Sequence, residues 1–314
     1  MTARVATVAV VGCGVIGAGW AALCLAQGRD VRACDPAPGA ERRLREHVDG
    51  AWTALTRLGL AEGASRDRLM FAASVAEAVE GADFVQESGP ETADLKQGLI
   101  AEIDAHTSGS VPIASSSSGL MPSRLQEMAA RHPERVLVGH PFHPAYLIPL
   151  VEVVPGSRTT ASAVDTALAF YSSLGKRPIL VRHEVPGHVT NRLQAALWQE
   201  AYSLVERGVA TVADIDAAIS SGPGLRWALL GPLANQHLSG GAGGLAHTLR
   251  HLGPPAQEWM DDLGRVHLTP ALAARLVEGI DGELDGTDQS ALVAERDDLL
   301  IDLIAAKRRR TALP

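Results

Sequence analysis

Three groups of residues in this chain are of types and spacings that support chemistry. The first is Gly12-Cys13-Gly14-Val15-Ile16-Gly17, followed by Asp35 18 residues beyond the last glycine. On a strand-to-helix turn, Gly12 permits the tight turn, Gly14 lets the backbone approach a pyrophosphate, and Gly17 lets the helix pack closely on a sheet. The helix start at Val15 and Ile16 adds N–H donors and a positive dipole end, which makes an anion cradle. Asp35 ends the next strand, where a carboxylate accepts both ribose hydroxyls of an adenosine and repels a 2′-phosphate. The constellation predicts binding of NAD in preference to NADP. Glycines alone would mark only an ordinary turn.

The second group is His140-Pro141-Phe142-His143-Pro144, with Glu152 twelve residues after His140. A carboxylate on one imidazole nitrogen fixes the tautomer and raises the basicity of the other, as a base that removes a hydroxyl proton requires. Parallel or antiparallel pairing of the strands that carry them would bring the two side chains together. The alternatives are a satisfied loop histidine or, with His143, part of a metal site. No nearby Cys or third His stands at ligand spacing, so no metal is expected. The third group is Ser115-Ser116-Ser117-Ser118 at the end of a strand. Its hydroxyls either meet a ligand or cap the helix that follows near Pro122.

The elements needed to hold these groups are visible in the apolar patterning. Val5 to Val11 reads as a buried parallel strand, residues 17–27 as a helix closed by Gly28, and Val31 to Cys34 as a second strand. A helix with an Arg-rich polar face is expected over residues 40–60. Further strands follow at 82–86, 112–115, 135–138, 150–154 and 178–181, with helical stretches between most of them and a helix over 161–174. This alternation predicts an α/β fold, a Rossmann-type mostly parallel sheet domain over residues 1–186. After Pro186-Gly187 the pattern changes to helices only: 189–207, then 213–219 behind a Thr211-x-x-Asp214 capping box, then 244–252, 270–279 and 290–307. Residues 187–314 are therefore expected to form an all-α C-terminal domain for substrate binding and dimerisation. The helix from Asn191 carries Leu193, Leu197, Trp198, Tyr202 and Leu204, a surface for a partner subunit in a homodimer or for burial within its own domain.

Composition narrows the setting. The 314 residues carry a formal charge of -8, and the isoelectric point is near 5.8. Neither nucleic acid nor an anionic membrane is expected as a partner, since both reward excess Lys and Arg. The basic run Lys307-Arg308-Arg309-Arg310 reads as a solvated helix end, where cations complement the dipole. Cys13, Cys24 and Cys34 are odd in number and lack metal spacing, so they read as buried free thiols in a reducing, cytoplasmic setting. No signal-peptide or membrane-span pattern is present at the start.

The chain resembles the 3-hydroxyacyl-CoA dehydrogenase superfamily. The resemblance rests on the glycine fingerprint, on Glu87-Ser88-Gly89-Pro90-Glu91-x-x-x-x-Lys96, on Ser115 to Leu120, on Gly139 to Pro144, on Leu150-Val151-Glu152, and on Gly187-His188-Val189-Thr190-Asn191-Arg192-Leu193. Pro141, the segment Ile148 to Glu152 and the segment Gly222 to Trp227 look like the branch with lambda-crystallin/L-gulonate 3-dehydrogenase and L-carnitine 3-dehydrogenase. The resemblance implies His140 as general acid/base, Glu152 as its partner, Ser118 on the reacting oxygen, and Asn191 positioning substrate and nicotinamide. It also implies Glu91 and Lys96 near the nicotinamide end, where a helix N-terminal acid and a surface lysine are the plainer readings. One departure is His143, which stands where the superfamily usually has Asn and puts a second titrating group beside His140. The expected reaction is NAD-dependent oxidation of the 3-hydroxyl of a small free hydroxy acid to the 3-oxo acid. Arg226 would bind a carboxylate, and Trp227 would pack on an alkyl or trimethylammonium group. The plainer readings are an intersubunit salt bridge for Arg226 and a core position for Trp227. A 3-hydroxyacyl-CoA dehydrogenase and a non-catalytic crystallin-like protein of the same fold are the alternatives.

Overall fold

Apolar, β-branched runs with both faces covered build the centre of the sheet: Val8, Ala9 and Val10 are fully buried, as expected for parallel strands packed between two helical layers. The structure, a computed structural model, describes residues 5–313. The first unit, Met1–Arg192, runs β1 (Thr7–Val11), α1 (Val15–Ala26), β2 (Asp30–Cys34), α2 (Ala40–Leu58), β3 (Leu69–Phe71), α3 (Val75–Val79) and β4 (Phe84–Glu87). It continues with α4 (Ala93–His106), β5 (Ile113–Ser115), α5 (Pro122–Leu125), β6 (Val136–Pro141), β7 (Leu150–Pro155), α6 (Ala161–Ser173) and β8 (Arg177–Leu180). The strand order is β3-β2-β1-β4-β5-β6-β7-β8. Every pairing from β3 to β6 is parallel, β7 runs antiparallel to β6, and β8 is parallel to β7. The order reverses between β1 and β4, the switch point at which doubly wound sheets bind ligands beyond the strand ends.

Two helices show how pattern becomes packing. In α1, residues 17–26 are all buried, so the helix is apolar around its whole circumference. In α2, Leu44, Val48, Ala51 and Leu55 recur at helical spacing and are buried. Its outer face carries Arg42–Glu46 and Arg45–Glu41 pairs at 3.5 and 2.8 Å. These exposed pairs add little stability but leave the face electrically mixed.

The second unit, Leu193–Pro314, is helical. The helix α7 (Thr190–Glu206) opens in the first unit and continues into the second, followed by α8 (Val212–Ser220), α9 (Pro223–Trp227), α10 (Pro232–Ser239), α11 (Gly244–Asp262), α12 (Pro270–Glu283) and α13 (Gln289–Arg308). The expected capping box holds α8: Thr211 Oγ1 accepts from Asp214 N at 3.1 Å, and Thr211 N donates back to the Asp214 carboxylate at 3.4 Å. The basic run closes α13, with Lys307 donating to the Ala228 carbonyl at 2.9 Å.

Three differences from the patterning have physical causes. Strand β3 escapes notice because three residues are too few for alternation; its pairing with β2 defines it. Helix α11 passes through Pro254 and Pro255 and ends at Asp262 rather than at residue 252. The φ fixed by the proline ring is itself helical, so the two residues cost hydrogen bonds without forcing a turn. Helix α10 has Pro at its start and few apolar positions, and its sequence gives no clear period. The three cysteines are free and buried, and burial pushes each thiol up to about 12. No helix among the described residues is long and apolar enough to cross a membrane.

Candidate active site

The glycine turn has the geometry its sequence requires. Gly12 has φ +93, and a Cβ there would lie 2.6 Å from the Ser88 backbone, so the turn between β1 and α1 accepts no other residue without strain. A Cβ at Gly17 would stand 1.9 Å from the Gly12 carbonyl oxygen. At Gly14 nothing lies within 4 Å, which leaves open space directly before the helix. Gly14 is the N-cap of α1 and offers no side-chain acceptor, so the first N–H groups stay available; Val15 is exposed and Ile16 half-buried. Asp35 follows β2 and is oriented by two backbone donors, Cys13 N and Ala37 N, each at 2.8 Å. An open cradle of N–H donors beside an oriented carboxylate fits an adenine dinucleotide. The N–H groups at Val15 and Ile16 would hold the pyrophosphate and Asp35 the ribose.

The base and its carboxylate are placed by the sheet itself. His140 and Glu152 are directly opposed in the antiparallel β6–β7 ladder. Opposed residues project from the same face, so the ladder brings the side chains together. His140 Nδ1 lies 2.9 Å from Glu152 Oε2; His140 is 5% exposed and Glu152 0%. The other carboxylate oxygen, Oε1, accepts from Val189 N at 3.0 Å, Thr190 N at 2.9 Å and Thr190 Oγ1 at 3.2 Å at the start of α7. Burial pushes the Glu152 pKa up, but the bonds from His140, Thr190 and Val189 outweigh it and hold the group below its ordinary value. Glu152 is therefore an anion through the neutral range, and its support for the fold is lost only as pH falls through that depressed value. An ionised acceptor requires a proton on Nδ1, which leaves Nε2 of His140 as the free basic nitrogen.

A second carboxylate organises the serine turn. Glu91 Oε1 accepts from Ser117 Oγ at 2.6 Å, Ser118 N at 2.9 Å and Gly119 N at 3.1 Å, with Ser118 Oγ at 3.4 Å. Burial raises the Glu91 pKa, yet the Ser117 hydroxyl, Lys96 and the two backbone donors more than offset it and keep the carboxyl below its usual range. Asn191 Nδ2 donates to the Ser118 carbonyl at 2.9 Å and so ties α7 to the same turn. Lys96 is no surface residue: it is 1% exposed, both Glu87 oxygens lie 3.1 Å from its ammonium, and Glu91 Oε2 lies 3.6 Å away.

Three other expected residues are exposed: His143, Arg226 and Trp227. His143 is exposed, and its charge acts on His47 of α2, whose pKa is lowered first by burial and then by His143. Arg226 and Trp227 lie in α9 of the second unit; Trp227 is 41% exposed, which rules out a place in that unit's core. The Gly187 to Leu193 motif includes His188 but assigns it no role; it is fully buried beside His140 with ring centroids 5.6 Å apart. Thr190, in the same motif and equally without an assigned role, is one of the donors that fix Glu152.

A doubly wound sheet with a dinucleotide cradle and a buried His–Glu pair beyond it defines an NAD-dependent dehydrogenase. Residues 7–185 match the NAD-binding domain of 3-hydroxyacyl-CoA dehydrogenase, and residues 187–268 match its C-terminal domain. The chain belongs to the 3-hydroxyacyl-CoA dehydrogenase family and is an NAD-dependent oxidoreductase. It is 52% identical over 306 residues to L-carnitine dehydrogenase of Streptomyces coelicolor, covering 98% of this chain and 96% of that one. It is 45% identical over 321 residues to a 3-hydroxyacyl-CoA dehydrogenase of Gibberella moniliformis, covering 100% and 98%. Among solved structures, 5-formyl-3-hydroxy-2-methylpyridine 4-carboxylic acid 5-dehydrogenase, an NAD+-dependent dismutase, superposes with a TM-score of 0.85 at 31% identity, covering 98% of this chain and 100% of that one.

Proposed function

We propose that the chain oxidises the 3-hydroxyl of a small free hydroxy acid, with L-carnitine as the first candidate, to the corresponding 3-oxo acid. The observation that carries the chemistry is the ladder-opposed His140–Glu152 pair with Nε2 left free; the roughly half-identical L-carnitine dehydrogenases support the substrate. His140 Nε2 takes the hydroxyl proton, and Glu152 stabilises the imidazolium that forms. Ser118, on the turn held by Glu91 and Asn191, supports the reacting oxygen. NAD, when bound, supplies the hydride acceptor. Lys96 acts at one remove, by holding Glu87 and Glu91. In the division of labour, residues 1–186 bind NAD, and residues 187–314 bind substrate and dimerise. The exposed Arg226 and Trp227 suit a carboxylate and a quaternary ammonium.

A thioester substrate is disfavoured by the outer face of α2, where Arg42 and Arg45 are already paired with Glu46 and Glu41 rather than held open for CoA phosphates. NADH formation from L-carnitine, L-gulonate and a 3-hydroxyacyl-CoA tests the choice. Turnover of the thioester alone would overturn it. Replacing Asp35 by Ala should raise the KM for NAD by about tenfold, the worth of roughly 1–2 kcal/mol for one charged hydrogen-bonded contact. Equal efficiency of the unaltered protein with NADP would contradict the assignment of Asp35.

The second unit argues for a homodimer. Among its described residues only four apolar side chains, Val205, Leu272, Ile301 and Ile304, are buried. Leu193, Leu197, Trp198 and Trp259 are between 41 and 65% exposed. A cavity of about 360 Å³ on this unit is lined by Trp198, Tyr202, Val212, Ile215, Leu276 and Ile280. So much uncovered apolar surface on helices with so small a core calls for a partner, and a second copy supplies the same face by symmetry. Sedimentation at micromolar concentration should give twice the chain mass of 32.9 kDa. A species of the single-chain mass would refute the dimer. Three free, buried thiols suit a cytoplasmic location.

A further inference from the structure

His188 has three features that packing alone does not call for. It is the one described residue other than glycine with a positive φ, +52, and it follows Gly187 at φ +75. It is fully buried, although an apolar side chain would fill the space at less cost. Its Nε2 meets the Ser117 carbonyl at 3.3 Å, while its buried Nδ1 has no hydrogen-bond partner. A carbonyl only accepts, so Nε2 carries the proton and Nδ1 holds an open lone pair.

The connections of this ring are informative. The left-handed pair Gly187-His188 immediately precedes Val189 and Thr190, whose N–H groups hold Glu152. The imidazole reaches the serine turn through Ser117, the residue whose hydroxyl binds Glu91. Its ring lies 5.6 Å from that of His140 at an interplanar angle of 55°.

We infer that His188 is a positioning residue of the proton-transfer site: it joins the serine turn to the Glu152 turn and sets a neutral imidazole with an open acceptor beside the His140 ring. The inference rests on the His140–Glu152 reading and deepens it. When His140 takes the substrate proton, a neighbouring neutral imidazole is a dipole that can favour the cation, whereas a protonated one would oppose it. The groups that face His188 are His140 on β6, Glu152 on β7, and Glu91 ahead of α4. Burial lowers the His188 pKa and His140 lowers it further, while the Ser117 carbonyl and the Glu152 and Glu91 carboxylates act the other way. The net lowering keeps the ring neutral at neutral pH.

The test combines kinetics on L-carnitine and NAD with histidine-ring NMR of the full chain, which does not depend on the substrate chosen. In the unaltered protein, the ¹⁵N shifts of His188 should report the Nε2-protonated neutral ring at neutral pH, with charge gained only below the ordinary histidine range. His188→Phe keeps an aromatic wall without nitrogens. Its kcat should fall about 3- to 30-fold, with the KM for NAD within about twofold. The acid limb of kcat/KM and the protonation midpoint of the His140 ring should both move to lower pH. His188→Gln, which retains a donor and an acceptor, should recover most of the kcat and most of both shifts. A purely structural role predicts equal losses in the two variants, with the limb and the midpoint unmoved, and that result would overturn the inference. So would an Nδ1-protonated or charged His188 ring at neutral pH, a measurement that stands even if His188→Phe does not fold. Full activity of His140→Gln would instead remove the dyad on which the inference rests.

Discussion

His140→Gln is expected to lower kcat on the productive hydroxy acid by about 10²–10⁴ while leaving the KM for NAD nearly unchanged, the usual worth of a positioned base. The side chain is 5% exposed and points its Nδ1 at Glu152, so Gln can keep a polar contact with the carboxylate but offers no basic nitrogen to the substrate. Glu152→Gln should lose less. With its single oxygen on Nδ1–H the amide still orients the ring, but its NH2 then faces the Val189 and Thr190 N–H donors, and it cannot favour the imidazolium by charge. Its acid limb in kcat/KM should therefore move to lower pH, so the loss depends on pH. Because the Glu152 pKa is depressed, the unaltered enzyme should show no Glu152 titration in the neutral range. Near-normal turnover by His140→Gln would redirect attention to His143, the exposed neighbour three positions on.

Lys96→Met should have the largest effect on stability. The ammonium is 1% exposed and lies 3.1 Å from both oxygens of Glu87, itself 0% exposed. Without it, Glu87 keeps, among the described residues, the Ser115 hydroxyl and the Gly89 N–H as partners, and a carboxylate is left buried and unbalanced. Removing one member of a buried pair costs about 3–5 kcal/mol. At about 2–4 °C per kcal/mol for a unit the size of Met1–Arg192, which holds the pair, Tm without NAD should fall by roughly 10 °C. Adding Glu87→Gln should restore much of the loss, since the second substitution removes the stranded charge. A drop in Tm below about 2 °C in Lys96→Met would show that the pair is not carrying that load.

What could be read directly was chemistry tied to a local backbone requirement. Gly12, at φ +93 against Ser88, and Asp35, at a strand end, are dictated within one βαβ unit, so residue type and spacing suffice to find them. The His140–Glu152 pair was visible as a separation of twelve with the sense of pairing open; only the ladder shows it to be antiparallel. Strand β3 and helices α9 and α10 were invisible because short segments hold too few residues to display a period. Lys96 looked like a surface or cofactor residue because burial of a lysine is decided by Glu87 and Glu91 across space, not by its neighbours in sequence. His188 carried no signal of its own, since a left-handed φ at a histidine arises from the packing around it and leaves no mark on residue type.

The reversal of strand direction at β7 has a consequence for how this scaffold tolerates change. Five consecutive ladder pairs, from Leu137 with Pro155 to Pro141 with Val151, set the alignment of base and carboxylate. The connecting stretch from Phe142 to Pro149 is therefore relieved of that duty. Its residues do other work: the Phe142 ring stands 4.7 Å from that of His140, and the Ala145 and Ile148 carbonyls accept from Lys176. The register of base and carboxylate thus belongs to the ladder alone, and a change of length in the hairpin connection leaves that register where it is.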